Sequence, residues 1–196
     1  SWAREAVTRF QQAGDPEGQA LSLQVLGILH FRRGSGDSAL RMLQEAVHRL
    51  EGVENFQLEG RIYDWISTVY LESQQLEPAL KYQEKSVSRL ELGSGISAGE
   101  RARALNSCGF IRWKMGRLQD ALPSYLKALD LYRQGGNLSR MGFVYNDVGA
   151  IYWGLGKYTT ALEYFEKALS IRRRLGDYRL TALTLGNIGL IYQEWK

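Results

Sequence analysis

The sequence contains few of the residues that cross-link a chain, interrupt helices or carry out acid–base catalysis. Its one cysteine, Cys108, excludes an internal disulfide framework and is compatible with a reducing compartment. Three prolines in 196 residues favour helix through nearly the whole chain. The two histidines, His30 and His48, have no Cys or His at metal-ligand spacing, and no glycine-rich phosphate loop is present. We therefore expect a helical protein that holds no metal and no cofactor.

Long apolar runs are also missing. Hydrophobic residues make up 44% of the chain, but charged residues interrupt them every few positions, so no segment is apolar enough to span a membrane. No basic stretch followed by an apolar core and a cleavage site opens the chain, so no secretory signal is visible. We expect a cytoplasmic protein with no membrane partner.

Small residues, by contrast, are abundant and regularly placed. One series has intervals of 40, 42, 40 and 40 residues: Gly27, Ser67, Gly109, Gly149 and Gly189. Two more series follow it at spacings of 12 and then 7 residues: Ala39, Ala79, Ala121 and Ala161, and then Ala46, Ser86, Ala128 and Ala168. A recurring small residue marks a place where one helix lies close against another, because a larger side chain would separate the two axes. A fixed period of this length predicts a stacked array of helical hairpins.

The period divides the chain into repeats, each with a first and a second helix. We expect four complete repeats, preceded by an unpaired second helix and followed by an unpaired first helix. These six segments are 1–14, 17–55, 57–97, 99–136, 139–176 and 179–196. Because both ends carry half a repeat, we expect one domain that belongs to a longer protein.

The repeat at 139–176 shows the helical pattern most clearly. Its second helix runs from Thr159 to about Arg174, and the periodicity predicts an inward-facing stripe on it. The stripe consists of Ala161, Leu162, Phe165, Ala168, Leu169 and Arg172. The arginines at 172–174 fall in the last turn, where cations complement the helix dipole. They do not require a nucleic-acid ligand to explain them.

The order of residue types within a repeat also recurs. An apolar residue precedes each small anchor, and at four of the five anchors an aromatic residue or histidine follows three positions later, as in Val148-Gly149 with Tyr152; Ala-Leu and a further small residue come next. This resembles the tetratricopeptide repeat, whose signature is L-G-x-x-Y followed by A-x-x-x-F. The 40-residue period is similar to the longer-helix subclass found in kinesin light chains, cell-polarity adaptors and sensor regions of bacterial signalling proteins. The resemblance implies an all-α solenoid of antiparallel helix hairpins, a right-handed superhelix whose first helices line a concave groove.

The histidines and the cysteine give no sign of catalysis. His30 occupies the position that other repeats fill with Tyr70, Tyr152 and Tyr192. Cys108 occupies the position of Leu26, Ile66, Val148 and Ile188, so we expect an inert core thiol. His48 has no matching Asp or Cys nearby. We expect a protein that is not an enzyme.

The resemblance places a candidate partner-binding groove on the first helices. The groove positions lie three before, one after and four after each small anchor, with arginines six before it and a flanking lysine. The candidate residues are Phe31, Arg61, Asp64, Leu71, Arg103, Asn106, Phe110, Trp113, Lys114, Asn146 and Trp153. Two interpretations of the large apolar residues stay open: they are buried against neighbouring turns, or they clamp a peptide whose backbone the asparagines bind. The family's carboxylate-clamp pattern is not reproduced.

Three functions are consistent with this pattern to different degrees. The leading hypothesis is a protein-interaction scaffold that binds a peptide in its groove. The alternative is a ligand-sensing region that controls an effector domain outside this sequence. Nucleic-acid binding rests only on charge, since residues 99–196 carry +7 while residues 1–98 carry −3, and we do not expect it. End-to-end self-association is a further expectation. It rests on apolar residues at the two ends: Trp2, Val7 and Phe10, and Leu183, Ile188, Ile191 and Trp195.

Overall fold

A computed structural model describes residues 2–195, and for residues 2–4, 6 and 7 only the backbone is described. This part of the chain forms ten α-helices and contains no strand. The helices are α1 (Trp2–Gln12), α2 (Pro16–Arg32), α3 (Gly36–Arg49), α4 (Phe56–Glu72), α5 (Leu76–Leu92), α6 (Ala98–Lys114), α7 (Leu118–Gln134), α8 (Leu138–Gly154), α9 (Tyr158–Arg174) and α10 (Tyr178–Glu194). The all-α class predicted from the sequence is confirmed.

The helices form two compact units, divided between Ile96 and Ser97. In the first unit α2 pairs with α3 and α4 with α5, and α1 packs on α2. In the second unit α6 pairs with α7 and α8 with α9, and α10 packs on α9. Within each unit one hairpin stacks on the next. The contact is between α3 and α4 in the first unit and between α7 and α8 in the second. No helix among the described residues is long and apolar enough to cross a membrane.

Every first helix starts one residue before the position that the period predicts. The reason is a side-chain cap, which accepts a hydrogen bond from the backbone N–H three residues later and so satisfies a donor that the helix leaves unpaired. The five capping residues recur with the same spacing as the repeats: Asp15, Asn55, Ser97, Asn137 and Asp177. The second helices α3, α5, α7 and α9 have no such side-chain cap. Their start therefore depends on packing.

The small anchors lie where a first helix meets its partner. A Cβ atom on Gly109 would come within 2.7 Å of the Tyr125 ring, and one on Gly149 within 3.0 Å of the Phe165 ring. Ser67 uses the same position differently, donating a hydrogen bond from Oγ to the carbonyl oxygen of Ala79 at 2.8 Å. The alanine series that begins at Ala39 is fully buried throughout. The close helix approach predicted from the small residues is confirmed at these hairpins.

The last anchor differs from the others. A Cβ atom on Gly189 would meet nothing within 4 Å, since no second helix follows α10 in the described chain. The apolar residues expected to be bare at this end divide into two groups. Leu183 and Trp195 are 53% and 50% exposed, but Ile191 is fully buried and Ile188 is partly buried against α9. The expectation for Ile188 and Ile191 is therefore wrong, because α10 turns these residues toward the hairpin before it.

The other end also exposes an apolar face. Phe10 is 37% exposed, and the side chains of Trp2 and Val7 lie outside the described residues. On α2 three apolar residues one turn apart are 47%, 43% and 39% exposed: Leu21, Val25 and Leu29. In later repeats the residues equivalent to Leu29 are buried, namely Val69, Ile151 and Ile191. Leu29 is exposed because no first helix precedes α2 in the described chain.

Candidate functional site

The second unit contains a cavity that we call the aromatic cavity. It has a volume of about 130 Å³ and is lined by Phe110 and Trp113 of α6, Tyr125 of α7, and Asp147 and Ala150 of α8. Phe110 and Trp113 stack with ring centroids 5.8 Å apart and 29° between their planes. Trp113 is 42% exposed, so this wall of the cavity is open to a partner.

The helical spacing and two small residues account for the cavity. Phe110 and Trp113 are three residues apart, as are Asp147 and Ala150, so each helix presents both members of its pair on one face. Tyr125 reaches the cavity floor because Gly109, opposite its ring, has no side chain. Ala150 stands at the repeat position that Phe110 holds in α6, and its smaller side chain leaves the space unfilled.

Among the described residues that line the cavity, Asp147 is the charged one. Burial raises the pKa of its carboxyl from the ordinary value to about 6, although the nearby Arg172 guanidinium and a hydrogen bond from Asn146 both lower this pKa. Burial is also the main cause of the raised pKa of Tyr125, with a further contribution from the charge of Asp147. The carboxylate of Asp147 is therefore ionised at neutral pH but incompletely solvated.

Asn146 already has partners within the chain. Its Oδ1 accepts hydrogen bonds from Nη1 of Arg172 at 3.1 Å and from Nδ2 of Asn187 at 3.4 Å. The same Arg172 nitrogen donates to the carbonyl oxygen of Leu180, at 3.1 Å, and to Oγ1 of Thr184. This network joins α8, α9 and α10, so Asn146 contributes to packing at the position where sequence reasoning placed a peptide contact.

Arg172 is the centre of that network. It is only 3% exposed, and every residue of the stripe predicted for α9 is buried with it. Burial lowers the pKa of Arg172, while Asp147 and Asp177 raise it, and the Phe143 ring lies 5.7 Å from its guanidinium carbon. A buried guanidinium needs such partners to offset its lost hydration.

The two equivalent tryptophans of the candidate groove have different surroundings. Trp153 is partly buried against the α9–α10 core, and its indole Nε1 donates to Oε2 of Glu194 at 2.6 Å. The residue that corresponds to Glu194 one repeat earlier is Gly154, which has no side chain to offer to Trp113. Trp113 is therefore the more available of the two.

The remaining candidates of the second unit surround the cavity. Arg103 is exposed on α6. The Nζ atom of Lys114 lies 5.7 Å from the centre of the Phe110 ring. Asn106 is partly buried, and its Oδ1 is a buried acceptor without a hydrogen-bond partner in the described residues. An unpaired buried oxygen is costly, so this atom is a candidate for a hydrogen bond from a ligand or a water molecule.

The candidates of the first unit are placed as follows. Phe31 is partly buried, with its ring edge toward Trp65 at 6.1 Å, and Leu71 is also partly buried. Oδ1 of Asp64 accepts a hydrogen bond from Nε2 of Gln83 at 3.0 Å, and Arg61 is exposed. Phe31 packs against the core of this unit and Asp64 is hydrogen-bonded to α5, and a groove role for the candidates here stays a prediction.

The histidines and the cysteine are placed as follows. Cys108 is buried on α6, and His30 is partly buried on α2. His48 is exposed, and its Nδ1 lies 3.0 Å from Oε1 of Glu51, whose hydrogen bond raises the pKa of the imidazole. Within residues 2–195, no three or more His, Cys, Asp or Glu side chains come together in a way that could hold a metal ion.

Sequence reasoning missed Tyr125 and Asp147. A signal for Asp147 was available: its repeat position is filled elsewhere by Val25, Trp65, Ser107 and Asn187, so it is the one acid in the series. Tyr125 had a signal too, since it pairs with Gly109 as Phe165 pairs with Gly149.

Comparison with known protein families identifies one family, the tetratricopeptide repeat, through two of its models. One model matches residues 58–134 and 140–196, and the other matches residues 19–54. Together the matched residues cover most of the chain. No curated protein matches the sequence.

Solved structures resemble the whole chain. BtubC (BKLC) from P. vanneervenii aligns with a TM-score of 0.81 at 20% identity, over 97% of this chain and 80% of its own. A signal-transduction ATPase of the STAND class from Pyrococcus horikoshii, which has a tetratricopeptide repeat sensor, aligns with a TM-score of 0.75 at 23% identity. That alignment covers 91% of this chain but 27% of the ATPase.

A third similar structure holds a peptide. The Rap conjugation gene regulator of the plasmid pLS20, solved in complex with the Phr* peptide, aligns with a TM-score of 0.61 at 20% identity. The alignment covers 90% of this chain and 48% of the regulator, so the chain spans about half of that protein. At sequence identities of 20–23%, these three structures show that the chain shares their fold.

Proposed function

Because the chain belongs to the tetratricopeptide repeat family, we propose that it is a non-enzymatic interaction scaffold that binds a peptide segment of a protein partner. The binding surface is the face of α6 and α8 around the aromatic cavity. The observation that carries this proposal is the exposed Trp113, stacked on Phe110 beside an unfilled cavity. Exposed aromatic residues next to a pocket are typical of the residues that contribute most to binding energy.

The Rap regulator adds support, because a protein with a similar fold was solved in complex with a peptide. Array architectures of this type expose extended surfaces, which suits recognition of a segment of another chain. A single cysteine in the sequence suits a reducing compartment, and we place this binding in the cytoplasm.

The test is binding of the full chain to an immobilised array of random-sequence peptides. Wild type is expected to bind a subset of sequences, and Trp113→Ala is expected to lose them. Trp195→Ala is the matched control, because it removes an equally exposed tryptophan from the end of α10. If wild type binds no peptide, or if both variants bind as wild type does, the proposal is wrong.

A ligand-sensing regulatory region is the second candidate function. The tetratricopeptide repeat sensor of the STAND ATPase favours it, and so does a cavity of about 130 Å³, a volume suited to a small group. In this case the effector domain lies outside this sequence. A small-molecule ligand that stabilises the chain against unfolding, together with a peptide array that stays blank, would favour the sensor over the scaffold.

We also propose that the chain associates end to end with a second copy. The exposed apolar residues of α2, namely Leu21, Val25 and Leu29, are positioned to receive a first helix. On α10, which is a first helix, Leu183 and Leu190 are 53% and 46% exposed. Packing α10 of one copy against α2 of the next would cover both faces, and because the contact joins two different surfaces it can continue into open chains.

A further inference from the structure

The aromatic cavity combines two features that rarely serve packing alone. Phe110, Trp113 and Tyr125 line it, and among the described lining residues Asp147 carries the charge. Aromatic rings attract a cation that lies within roughly 6 Å of the ring centre, and tryptophan does so most strongly. The Phe110 ring already has the Lys114 ammonium 5.7 Å from its centre, within the range of a cation–π contact.

The carboxylate of Asp147 is short of charge compensation. Its neighbours are Arg172 of α9, the amide of Asn146 and the phenol of Tyr125, and the pKa of Asp147 is raised to about 6 in spite of the first two. The hydrogen bonds of Arg172 Nη1 go to Asn146, Leu180 and Thr184, and Arg172 acts on Asp147 through its charge. A donor that entered from the cavity would supply what the carboxylate lacks.

We propose that the aromatic cavity receives the cationic end of an arginine or lysine side chain of the bound peptide, with Asp147 as its counter-ion and Phe110 and Trp113 as its stacking walls. This inference rests on the proposed peptide-binding function and names the residue type that the peptide must supply. Arginine fits best, because a planar guanidinium stacks on aromatic rings and presents paired donors to a carboxylate.

The size of the cavity agrees with this occupant. An apolar cavity of roughly 150 Å³ in a protein core holds one benzene molecule. The 130 Å³ available here therefore takes a group of about ring size, such as a guanidinium with its last methylene. A whole aromatic side chain with its backbone would not fit, and the carboxylate disfavours an anionic group.

The positive charge of the second half of the chain does not oppose this assignment. Charges on exposed helix faces are screened over about 8 Å at physiological ionic strength. A side chain inside the cavity is governed by the groups that line it, and Asp147 is the charged one. The surrounding basic residues instead favour acidic residues on either side of the inserted cation.

The experiment uses N-acetyl-arginine amide as the probe and N-acetyl-citrulline amide as its uncharged analogue of nearly the same shape. Each is titrated into the ¹⁵N-labelled full chain while the five tryptophan indole signals are followed, with the Trp113 signal assigned from Trp113→Phe. The arginine probe is expected to shift the Trp113 indole signal in a saturable way, and the citrulline probe is expected not to shift it. Asp147→Asn is expected to weaken the arginine probe at least tenfold, about the effect of losing a charge-assisted hydrogen bond.

Asp130→Asn is the matched control, since it removes the same charge from an exposed site in the same unit, where the Asp130 carboxylate pairs with Arg133. It is expected to leave the titration unchanged. Equal binding of citrulline and arginine, no shift of Trp113, or equal loss in both variants overturns the cation assignment. The peptide array tests the scaffold proposal separately. If the array peptides bind through Trp113 but are not enriched in arginine or lysine, the scaffold proposal is supported and the cation assignment is wrong.

Discussion

Nε1 of Trp153 donates a hydrogen bond to Oε2 of Glu194 at 2.6 Å, which ties α8 to α10. Trp113 occupies the same position one repeat earlier and is 42% exposed. Its helix has no such tie, because the residue equivalent to Glu194 is Gly154. Two residues that the repeat makes equivalent therefore differ in role: Trp153 supports the fold, while Trp113 is available to a partner.

The first prediction separates these roles. Trp153→Ala is expected to lower the free energy of unfolding by about 2 kcal/mol, less than a fully buried tryptophan would because Trp153 is partly exposed. Trp113→Ala is expected to cost less than about 1 kcal/mol in stability and to weaken peptide binding roughly thirtyfold, the effect of losing a hot-spot residue. Urea unfolding and peptide titration of both variants test this. The reverse order of stability losses would contradict the assignment.

The second prediction concerns pH. The pKa of Asp147 is about 6 in the folded chain and near its ordinary value when unfolded, so the folded state binds the proton more tightly. The contribution of Asp147 to stability is therefore most favourable below about pH 4 and is lost as the pH rises to about 6. Asp147→Asn should be more stable than wild type at pH 7, by about 3 kcal/mol, and the difference should vanish near pH 4.

Urea unfolding of both proteins across this pH range measures that difference, and the other carboxyl groups cancel because both proteins have them. The charged group that faces Asp147 is Arg172, whose attraction opposes the effect of burial. If Asp147→Asn is less stable than wild type at pH 7, the attraction to Arg172 outweighs burial and the prediction is wrong.

The third prediction uses the anchor glycines. Gly109→Ala is expected to destabilise the chain by about 1–3 kcal/mol, because the new Cβ would lie 2.7 Å from the buried Tyr125 ring. Gly189→Ala is the matched control at the same repeat position, where nothing lies within 4 Å. It is expected to stabilise α10 by about 0.5–1 kcal/mol through helix propensity. Similar effects of both changes on thermal unfolding would contradict the close contact.

The fourth prediction concerns Gln74, which follows α4 with φ of 58°. The equivalent residues of the other hairpins are Gly34, Gly116 and Gly156, all in the same left-handed conformation. Since a side chain costs about 1 kcal/mol or more in this region, Gln74→Gly is expected to raise the free energy of unfolding by roughly 0.5–1 kcal/mol. Gln75→Gly, at an ordinary φ of −89°, should lower it. Chemical denaturation of both variants measures the two opposite signs.

The fifth prediction tests association. In sedimentation velocity the full chain is expected to sediment faster as its concentration rises, and Leu29→Glu is expected to remove this dependence by placing a charge on the apolar face of α2. Leu92→Glu is the control, since Leu92 is a 62% exposed leucine elsewhere on the first unit. A sedimentation rate of wild type that does not change with concentration contradicts the end-to-end contact.

Most of the fold was predictable because it depends on residues that repeat. The spacing of Gly109, Gly149 and their equivalents identifies the hairpins. Caps such as Asn137 and Asp177 recur with the same period, although sequence reasoning overlooked them and placed each first helix one residue late. Local chemistry and the period agree at these positions, which is why the helix bounds are close to those expected.

The site was predictable only in part, because equivalent positions need not have equivalent neighbours. The repeat pattern assigns Asn146 and Trp153 the same groove role as their equivalents Asn106 and Trp113, but in the structure Asn146 hydrogen-bonds to Arg172 and Trp153 to Glu194. Arg172 lies on α9 and Glu194 on α10, and the repeat pattern does not indicate which side chains of other helices a groove residue contacts. The repeat pattern does not single out Asp147 either, because its candidate role depends on the cavity that it lines.

The most direct test of the scaffold account is the footprint of a bound peptide on the full chain. A peptide selected from the array is titrated into the ¹⁵N-labelled chain, and the backbone amide shifts are mapped onto the sequence. The largest shifts are expected on α6 and α8, around Phe110, Trp113 and Asp147. Replacing the arginine or lysine of the peptide is expected to abolish them. Shifts concentrated on the first unit, or on α10 alone, would contradict it.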